Sequence, residues 1–310
     1  MENILNLIQN LLIADFRTAT PILLAGIGLI YMYRAGIVNI GVEGTMLIGA
    51  FAGSYGAYIF NNVWMGILVA GIVGGIVGAI FAFLIITIKA DQIVTGVAIN
   101  ILAIGLTTTL NRILFGVNTS PPEIPSIGKI SLPYLSEIPF IGRLLFNQLS
   151  MVYLALLLVP ITYYIFYKTT IGLKIRAVGD HPKAADTAGV NVFKVRYWTT
   201  IFGSMLAGIG GAFLSTGILS FFTEDMVAGR GFIALAAVIF GNWNPWGVLG
   251  ASLLFGFGDA IQIRIQAMGS NIPYQFLIMV PYLLTITALA GLVGKVNPPK
   301  ASAEPYIKEE

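Results

Sequence analysis

Long apolar runs separated by short charged stretches are the feature that most constrains the fold of this 310-residue chain. Only 10% of its residues are charged, against about 25% in soluble domains. The apolar residues form continuous runs and do not alternate with polar ones, which indicates helices that cross a membrane. The sequence therefore predicts an all-α polytopic membrane protein whose residues 1–310 form a single transmembrane domain.

A membrane-crossing helix needs roughly 20 apolar residues, because it rises about 1.5 Å per residue across about 30 Å of hydrocarbon. On this basis the sequence predicts about nine transmembrane helices, with a range of about eight to ten. Residues 3–14 are too short to cross, and we expect them to form an amphipathic helix at the membrane interface. The predicted crossings are about 18–33, 44–60, 64–88, 92–115, 150–167, 197–219, 231–241, 248–267 and 273–293.

Three polar segments lie between or after these runs. Residues 116–149 contain five prolines, which argue against a continuous helix and predict an external loop. Residues 295–310 are polar and contain proline, and are predicted to be a flexible cytoplasmic tail. Residues 168–196, named the basic loop below, hold six of the 17 basic residues and the only histidine of the sequence.

The basic loop predicts the orientation of the chain, because loops rich in lysine and arginine remain in the cytoplasm. Alternating crossings then place the N-terminus outside the cell and the C-terminus in the cytoplasm. The same rule accounts for the net charge of +3 without a nucleic-acid partner, because the basic residues lie in loops.

Inside the basic loop the sequence predicts a helix of about two turns at the membrane surface. Asp180 is placed to cap it, Pro182 suits its first turn, and Gly189 can end it in the left-handed conformation. Two interpretations remain open at this stage: the loop only orients the protein, or the helix docks a cytoplasmic partner.

Residues 34–44 interrupt the apolar pattern with three glycines, Asn39 and Glu43. Irregular backbone at membrane depth is tolerated only where protein or a water-filled cavity satisfies it. The segment is therefore interpreted as a broken helix that lines a translocation path. The alternative is an ordinary turn between two helices.

Polar side chains inside predicted spans are costly, and each is a functional hypothesis. Gln92, Thr95 and Asn100 fall on one stripe of a helix, and Gln262 follows Asp259 by about one turn. They either line a polar path or form hydrogen bonds between helices. An unpaired carboxylate at Asp259 would be expensive, so we expect water or a partner near it.

Residues 75–81 resemble residues 208–214, and the two segments are predicted to cross in opposite directions. Such similarity is typical of transporters that contain an inverted repeat.

The sequence shows no enzyme constellation. His181 is the only histidine, there is no cysteine, and no phosphate-binding loop of the Gly-x-x-x-x-Gly-Lys-Ser/Thr type occurs. No cofactor is therefore predicted in this chain, and an ATP-driven transport function would need an ATPase on another polypeptide. Only Glu43 and Asp259 are clear buried carboxylate candidates, which disfavours a proton-coupled carrier.

Residues 172–189 resemble the cytoplasmic coupling segment of the ABC-importer permeases that serve branched-chain amino acids, ribose-type sugars and nucleosides. Residues 34–51, 90–100 and 281–291 resemble the nucleoside branch in particular, and the resemblance extends over about residues 20–295.

This resemblance implies a non-catalytic permease subunit in the plasma membrane of a bacterium. Its partners would be a second permease paralogue, a substrate-binding lipoprotein outside the cell and a cytoplasmic subunit that binds ATP and Mg²⁺. The residues expected to couple to that ATPase are Arg176, Asp180, His181, Pro182, Ala184, Ala185 and Gly189. The residues expected along the substrate path are Asn39, Glu43, Gln92, Thr95, Asn100, Asp259 and Gln262.

Other functions remain open from the sequence. A permease for ribose-type sugars or branched-chain amino acids would share the same architecture. An ion-coupled secondary carrier would need no ATPase, and a passive channel would conduct without ATP.

Overall fold

The computed structural model describes residues 2–116, 122–131, 141–267, 276, 279, 283, 287 and 297–308. Helices dominate the described residues, and the chain is an all-α membrane protein apart from one short hairpin. The helices are α1 (Glu2–Arg34), α2 (Val42–Phe60), α3 (Val63–Ala82), α4 (Gln92–Phe115), α5 (Ile141–Phe146), α6 (Ser150–Lys168), α7 (Thr170–Asp180), α8 (Pro182–Thr187), α9 (Val192–Phe213), α10 (Arg230–Phe240) and α11 (Pro245–Ala267). Strands β1 (Lys129–Ser131) and β2 (Asn147–Leu149) pair antiparallel.

Six helices among the described residues are long and apolar enough to cross a membrane. They are α1, α3, α4, α6, α9 and α11, with α3 and α9 each extended by a π-helical turn, Phe83–Thr87 and Leu214–Leu219. The predicted count of nine is thus not confirmed. Helix α2 is not among the six, α10 is a shorter apolar helix, and residues 273–293 lie almost entirely outside the described part of the chain.

The first helix differs from its prediction. The sequence predicts an interfacial helix at 3–14 and a separate crossing from residue 18, but α1 runs unbroken from Glu2 to Arg34. Asp15 and Arg17 both lie inside this continuous helix, although Asp15 Oδ1 has no hydrogen-bond partner among the described residues. Asp15 is buried where α1 packs on Gly256, and Arg17 Nε donates to Gln148 Oε1 at 3.4 Å. At about 1.5 Å per residue, α1 is longer than the hydrocarbon layer, so the interfacial position of its first residues stays a prediction.

The helices connect two ends of the molecule, named here the basic end and the hairpin end. Helix α6 begins beside β2 and finishes at the basic loop, which defines the two ends. Thr87, the last residue of the π-helical turn after α3, is hydrogen-bonded to Tyr197 near the start of α9. This contact places residues 87–91 at the basic end. At the hairpin end, Arg112 of α4 forms an exposed ion pair with Glu224 at 3.0 Å.

Helix α9 is the central helix, and glycines let its backbone touch three neighbours. Gly203 lies against Gly28 of α1, Gly208 against Gly49 of α2 and Gly74 of α3. A Cβ atom at any of these positions would overlap backbone or side-chain atoms of the facing helix. Small residues are enriched between membrane helices because they allow such close approach.

The region 116–149 contains more structure than the sequence predicts. It holds the β1–β2 hairpin and the short helix α5, while residues 117–121 and 132–140 lie outside the described part. The backbone of residues 124–127 is bonded to the end of the α9 unit, with the Ile124 and Ile127 amides donating to the Ser220 and Thr216 carbonyls at 3.0 Å each. The proline-containing segment therefore covers the hairpin end of α9.

The tail also differs from its prediction as a loose segment. Among residues 297–308, Ala301 and Tyr306 are buried, and backbone hydrogen bonds join residues 301 and 303 to the basic end. The described tail is thus a packed element of the fold.

Gly211 of α9 provides a test of the glycine contacts. The Gly211→Ala variant places a Cβ against the carbonyl oxygen of Met46 in α2, and we expect overpacking to lower stability by about 1–3 kcal/mol. Gly105→Ala in α4 is the matched control, since nothing lies within 4 Å of its Cβ position and alanine favours helix. Thermal unfolding in detergent, followed by size-exclusion chromatography, should show a lower midpoint for Gly211→Ala alone. Equal midpoints would refute the packing argument.

Candidate functional site

The segment between α1 and α2, residues 35–41, reverses the direction of the chain. Gly28 and Pro21 of α1 contact Gly203 and Gly210 of α9, so α1 runs antiparallel to α9. On α2, Gly49 and Gly53 contact Gly208 and Ala212, so α2 runs parallel to α9. The segment is therefore a turn between antiparallel helices, and the broken-helix interpretation is wrong for the chain path. We name residues 35–41 the reversal.

The reversal is nevertheless buried like a segment at membrane depth. Ala35, Ile37 and Asn39 are almost completely inaccessible, and a Cβ at Gly96 of α4 would lie 2.7 Å from the Gly41 nitrogen. Gly36 adopts φ +83°, which an L-residue rarely tolerates. Such a backbone needs partners, because unpaired polar groups are costly away from water.

Helix α4 supplies these partners. Gln92 Oε1 accepts from the Val38 amide at 2.8 Å. Asn100 Oδ1 accepts from the Gly44 amide at 2.7 Å, and its Nδ2 donates to the Ile40 carbonyl at 3.1 Å. Because Asn100 lies eight residues after the start of α4, the contact is about 12 Å along the helix. These two residues of the predicted path are thus bonded to protein backbone in this conformation.

The other predicted path residues have different surroundings. Asn39 is 1% exposed, and its Nδ2 lies 3.6 Å from the sulfur of Met32. Thr95 is buried and donates within its own helix to the Asp91 carbonyl at 2.6 Å. Gln262 is half-buried in α11 near the hairpin end and is not brought to the reversal.

Glu43 caps the start of a different helix. Its Oε1 accepts from the Gly229 amide at 2.7 Å and its Oε2 from the Gly231 amide at 2.6 Å, at the first residues of α10. A helix N-terminus carries partial positive charge and free amides, so a carboxylate is a favourable partner. Glu43 therefore fixes the N-terminus of α2 to the N-terminus of α10.

Asp259 has the partner that its burial requires. Its Oδ2 lies 3.2 Å from Nη2 of Arg230, and both side chains are largely buried. Arg230 is not among the residues predicted from the sequence, although a basic residue at the very start of an apolar run was a usable signal. Arg230 follows Gly229 directly, so the ion pair and the Glu43 cap hold the same end of α10.

The basic loop contains two helices where the sequence predicts one. Asp180 is the last residue of α7 and not the cap of the next helix; His181 occupies the N-cap of α8 without a side-chain hydrogen bond. Pro182 is the first residue of α8, as predicted. Gly189 has φ +83°, which confirms the left-handed conformation predicted for it.

Helices α7 and α8 enclose an open, mainly apolar groove of about 640 Å³. His181, Ala184 and Gly189 are exposed on α8 and its end, whereas Ala185 is buried. The groove lining is Thr170, Leu173, Lys174, Arg176, Ala177, Asp180, His181, Ala184, Ala185, Ala188 and Val190.

Arginines tie this surface to the membrane helices. The Arg176 guanidinium lies 5.2 Å from the centre of the Tyr167 ring at the end of α6. Arg34, the last residue of α1, donates to the Tyr167 hydroxyl at 3.3 Å and, through Nη2, to the Trp243 carbonyl at 3.0 Å. Gly179 of α7 packs directly on the carbonyl of Arg34. The ends of α1, α6 and α7 therefore form one contact group.

Within the described residues, no group of three or more histidine, aspartate or glutamate side chains could hold a metal ion. Most polar residues of the reversal and of α10 have partners in helix caps, backbone hydrogen bonds and one ion pair, and these pairs position helices. Among the described residues, Asn39 Oδ1 and Arg230 Nε are buried without a hydrogen-bond partner.

Comparison with known proteins adds an independent line of evidence on the family of this chain. A family model described as "Branched-chain amino acid transport system / permease component" matches residues 12–294. The chain is 40% identical over 300 residues to the Guanosine ABC transporter permease protein NupQ of Bacillus subtilis, covering 94% of each chain. It is 36% identical over 323 residues to the Nucleoside ABC transporter permease protein NupC of Lactococcus lactis, covering 99% of this chain and 100% of the relative.

The chain is also similar to a protein named as a sugar permease. It is 36% identical over 326 residues to the Putative glucose ABC transporter permease protein TsgC13 of Haloferax volcanii, covering 96% of this chain and 98% of the relative. No solved structure matches the chain.

The Glu43 cap gives a testable prediction. Glu43→Gln replaces one accepting oxygen with a donor that faces a backbone amide, and should cost about 1.5–3 kcal/mol of stability. Glu224→Gln is the control, since its ion pair with Arg112 is solvent-exposed and worth about 1 kcal/mol at most. Unfolding midpoints of the two purified variants in detergent measure the difference. Midpoints lowered by the same amount would contradict the capping role.

Proposed function

Because the chain belongs to the family of permease components of branched-chain amino acid-type transport systems, we propose that it is the membrane-spanning permease subunit of an ATP-driven importer for nucleosides. The observation that carries the substrate class is the 40% identity, over nearly the full length, to a permease named for guanosine. The chain itself is non-catalytic in this proposal. ATP and Mg²⁺ bind to a separate cytoplasmic subunit.

The basic loop is the proposed contact with that ATPase. Its exposed helix α8 lies outside the long helices, and the groove beside it offers an apolar surface bordered by charged residues. The exposed residues His181, Ala184 and Gly189 form the outer surface, whereas Arg176 and Ala185 anchor α7 and α8 from inside. The basic end would then face the cytoplasm, in agreement with the positive-inside rule.

We propose nine crossings, because the directions of the described helices are compatible with that number. Helices alternate between the two ends when α2 and α10 are counted as crossings, and the tail returns to the basic end. Residues 273–293 would supply the remaining crossing. The N-terminus is then outside the cell and the C-terminus in the cytoplasm.

An inverted repeat is supported by the pairing of α3 and α9. The two helices pack antiparallel through Gly74 with Ser204 and Gly78 with Thr200, and both end in a π-helical turn. A twofold axis in the membrane plane would exchange two such helices.

In the proposed transport mechanism, movement begins at the contact group formed by the ends of α1, α6 and α7. Gly179 touches the end of α1 directly, so a displacement of α7 and α8 by the ATPase acts on the reversal without an intervening layer. The reversal is joined to α4 by Gln92 and Asn100, and Glu43 joins α2 to α10. A movement at the basic end would thereby reach α2, α4 and α10. Together with helices of a second permease paralogue, these helices would enclose the path. A binding lipoprotein would deliver the nucleoside from outside.

A sugar or branched-chain amino acid is the second candidate substrate. The similarity to a protein named as a putative glucose permease favours the sugar, and the family description includes branched-chain amino acids. Because the described polar residues of the path are amides, a threonine and engaged carboxylates, they do not select between an uncharged nucleoside and an uncharged sugar.

Uptake competition distinguishes the substrates. In cells that express the complete complex, unlabelled guanosine should abolish uptake of labelled guanosine, while ribose, glucose and leucine in the same excess should leave it unchanged. Saturable, ATP-dependent glucose or leucine uptake without guanosine uptake would replace the nucleoside assignment.

Docking at α8 has its own prediction. Ala184→Glu puts a carboxylate on the exposed side of α8, where a partner would bury it without a counter-charge, a change that typically costs several kcal/mol. The ATPase subunit should then be lost from the purified complex. Lys129→Glu, an exposed position on β1 at the hairpin end, should retain it. Co-purification at wild-type stoichiometry from both variants would exclude α8 as the docking element.

A further inference from the structure

The tail, residues 297–308, bridges two elements that the proposed function requires to move together. The Ala301 amide donates to the Gly179 carbonyl of α7 at 2.9 Å, and the Ala303 amide donates to the Gly36 carbonyl of the reversal at 3.1 Å. Gly179 lies in the last turn of α7 and Gly36 lies between helices, so neither carbonyl has an intrahelical partner. The tail thus satisfies acceptors that the helices leave free.

Tyr306 anchors the tail. It is 7% exposed and packs in a cluster with Val178 of α7, Ala185 of α8 and Val192 of α9. Its ring centre lies 5.5 Å from that of Phe193. The next residue, Ile307, is also apolar but is 58% exposed. A single aromatic side chain therefore joins the tail to three helices.

Arg196 adds a third attachment near the start of α9. Its side chain is 3% exposed, and Nη1 donates to the carbonyl oxygen of Glu304 at 2.8 Å. A Cβ at Gly36 would lie 3.1 Å from Nη2 of the same arginine, so the guanidinium sits between the tail and the reversal. Because a buried charge is costly without a partner, the tail contributes to keeping this arginine in place.

We propose that the tail is a clasp that makes α7, α8, the reversal and the start of α9 move as one body, with Tyr306 as its positioning residue. The proposal rests on the proposed function, since it presupposes that an ATPase acts on α8. The tail need not touch the ATPase or the nucleoside. Its role is to transmit a displacement of α8 to the reversal, in addition to the direct contact of Gly179 with α1.

The positions of these contacts indicate that the tail links the movements of the elements and does not merely cover their surface. The attachments reach α7, α8, the start of α9 and the reversal, and each lies beside the end of a helix, where relative movement is easiest. Tyr306→Ala removes a side chain that packs with the buried Ala185, whereas the exposed Ala184 shares a pocket with Lys300, Ala301 and Glu304, which this substitution leaves unaltered. Docking and transmission are therefore separable by substitution.

The test compares Tyr306→Ala with Ile307→Ala in the complete importer, reconstituted in liposomes with its ATPase, second permease and lipoprotein. Tyr306→Ala should retain the ATPase subunit and basal ATP hydrolysis. Nucleoside molecules transported per ATP should fall about 3- to 30-fold, the range expected for loss of one coupling contact. Ile307→Ala should match the wild type in every readout, and Tyr306→Phe, which keeps the ring, should retain a higher ratio than Tyr306→Ala.

A second measurement does not depend on transport. The chain has no cysteine, so Ala301→Cys and Ile307→Cys each create a single thiol while Tyr306 stays in place. In vesicles with the basic end exposed, a membrane-impermeant maleimide should label Ala301→Cys much more slowly than Ile307→Cys, because Ala301 is buried and Ile307 is exposed. This comparison does not depend on how well Tyr306→Ala folds.

The outcomes separate the clasp from the proposed function. An unchanged transport-to-ATP ratio in Tyr306→Ala, or equal labelling at the two positions, overturns the clasp. Loss of the ATPase subunit from Tyr306→Ala also overturns it, since the tail would then serve docking. A wild-type complex that transports no nucleoside contradicts the substrate assignment and leaves the labelling result intact.

Discussion

The close approach of α9 to α1, α2 and α3 is the constraint on which the rest of the structure depends. Gly203, Gly208 and Gly211 bring backbone against backbone, and no side chain fits between the facing helices. In a lipid environment the hydrophobic effect does not hold helices together, so van der Waals contact of this kind supplies much of the association. Because the contacts are backbone contacts, the core is stiff, and displacements are expected at helix ends.

The partners of the buried polar residues lie in the reversal and at the starts of α2 and α10. Gln92 and Asn100 satisfy the backbone of the reversal, Glu43 caps α10, and Arg230 neutralises Asp259. Each is a polar group that would be expensive in lipid without its partner. Residues that suggest a substrate path in the sequence therefore form contacts that hold helices together in this conformation. In the proposed importer they would link the movement of the basic end to the path.

Polar residues can be located from the sequence more readily than their roles can be assigned. The burial cost of Asp259 correctly predicted a nearby partner, yet its identity, Arg230, depends on α10 packing against α11. Charges mark the ends of apolar runs, so the sequence predicts a boundary between residues 14 and 18, where Asp15 and Arg17 lie. Helix α1 instead continues through both, with Asp15 packed against Gly256 and Arg17 bonded to Gln148. The tail was expected to be loose because its composition is polar, and the aromatic anchor Tyr306 could not be weighed without its pocket.

By itself the sequence determined the all-α membrane class, most of the apolar helices and the segment that resembles an ABC-importer coupling loop, because continuous hydrophobicity, loop charge and a local motif need no three-dimensional context. Only the tertiary structure decided that residues 35–41 reverse the chain, that Glu43 reaches α10, and that the tail joins α7 to the reversal. These features pair residues far apart in the chain. No local pattern records which distant donor will meet a given acceptor, since that depends on how the glycine contacts bring the helices together.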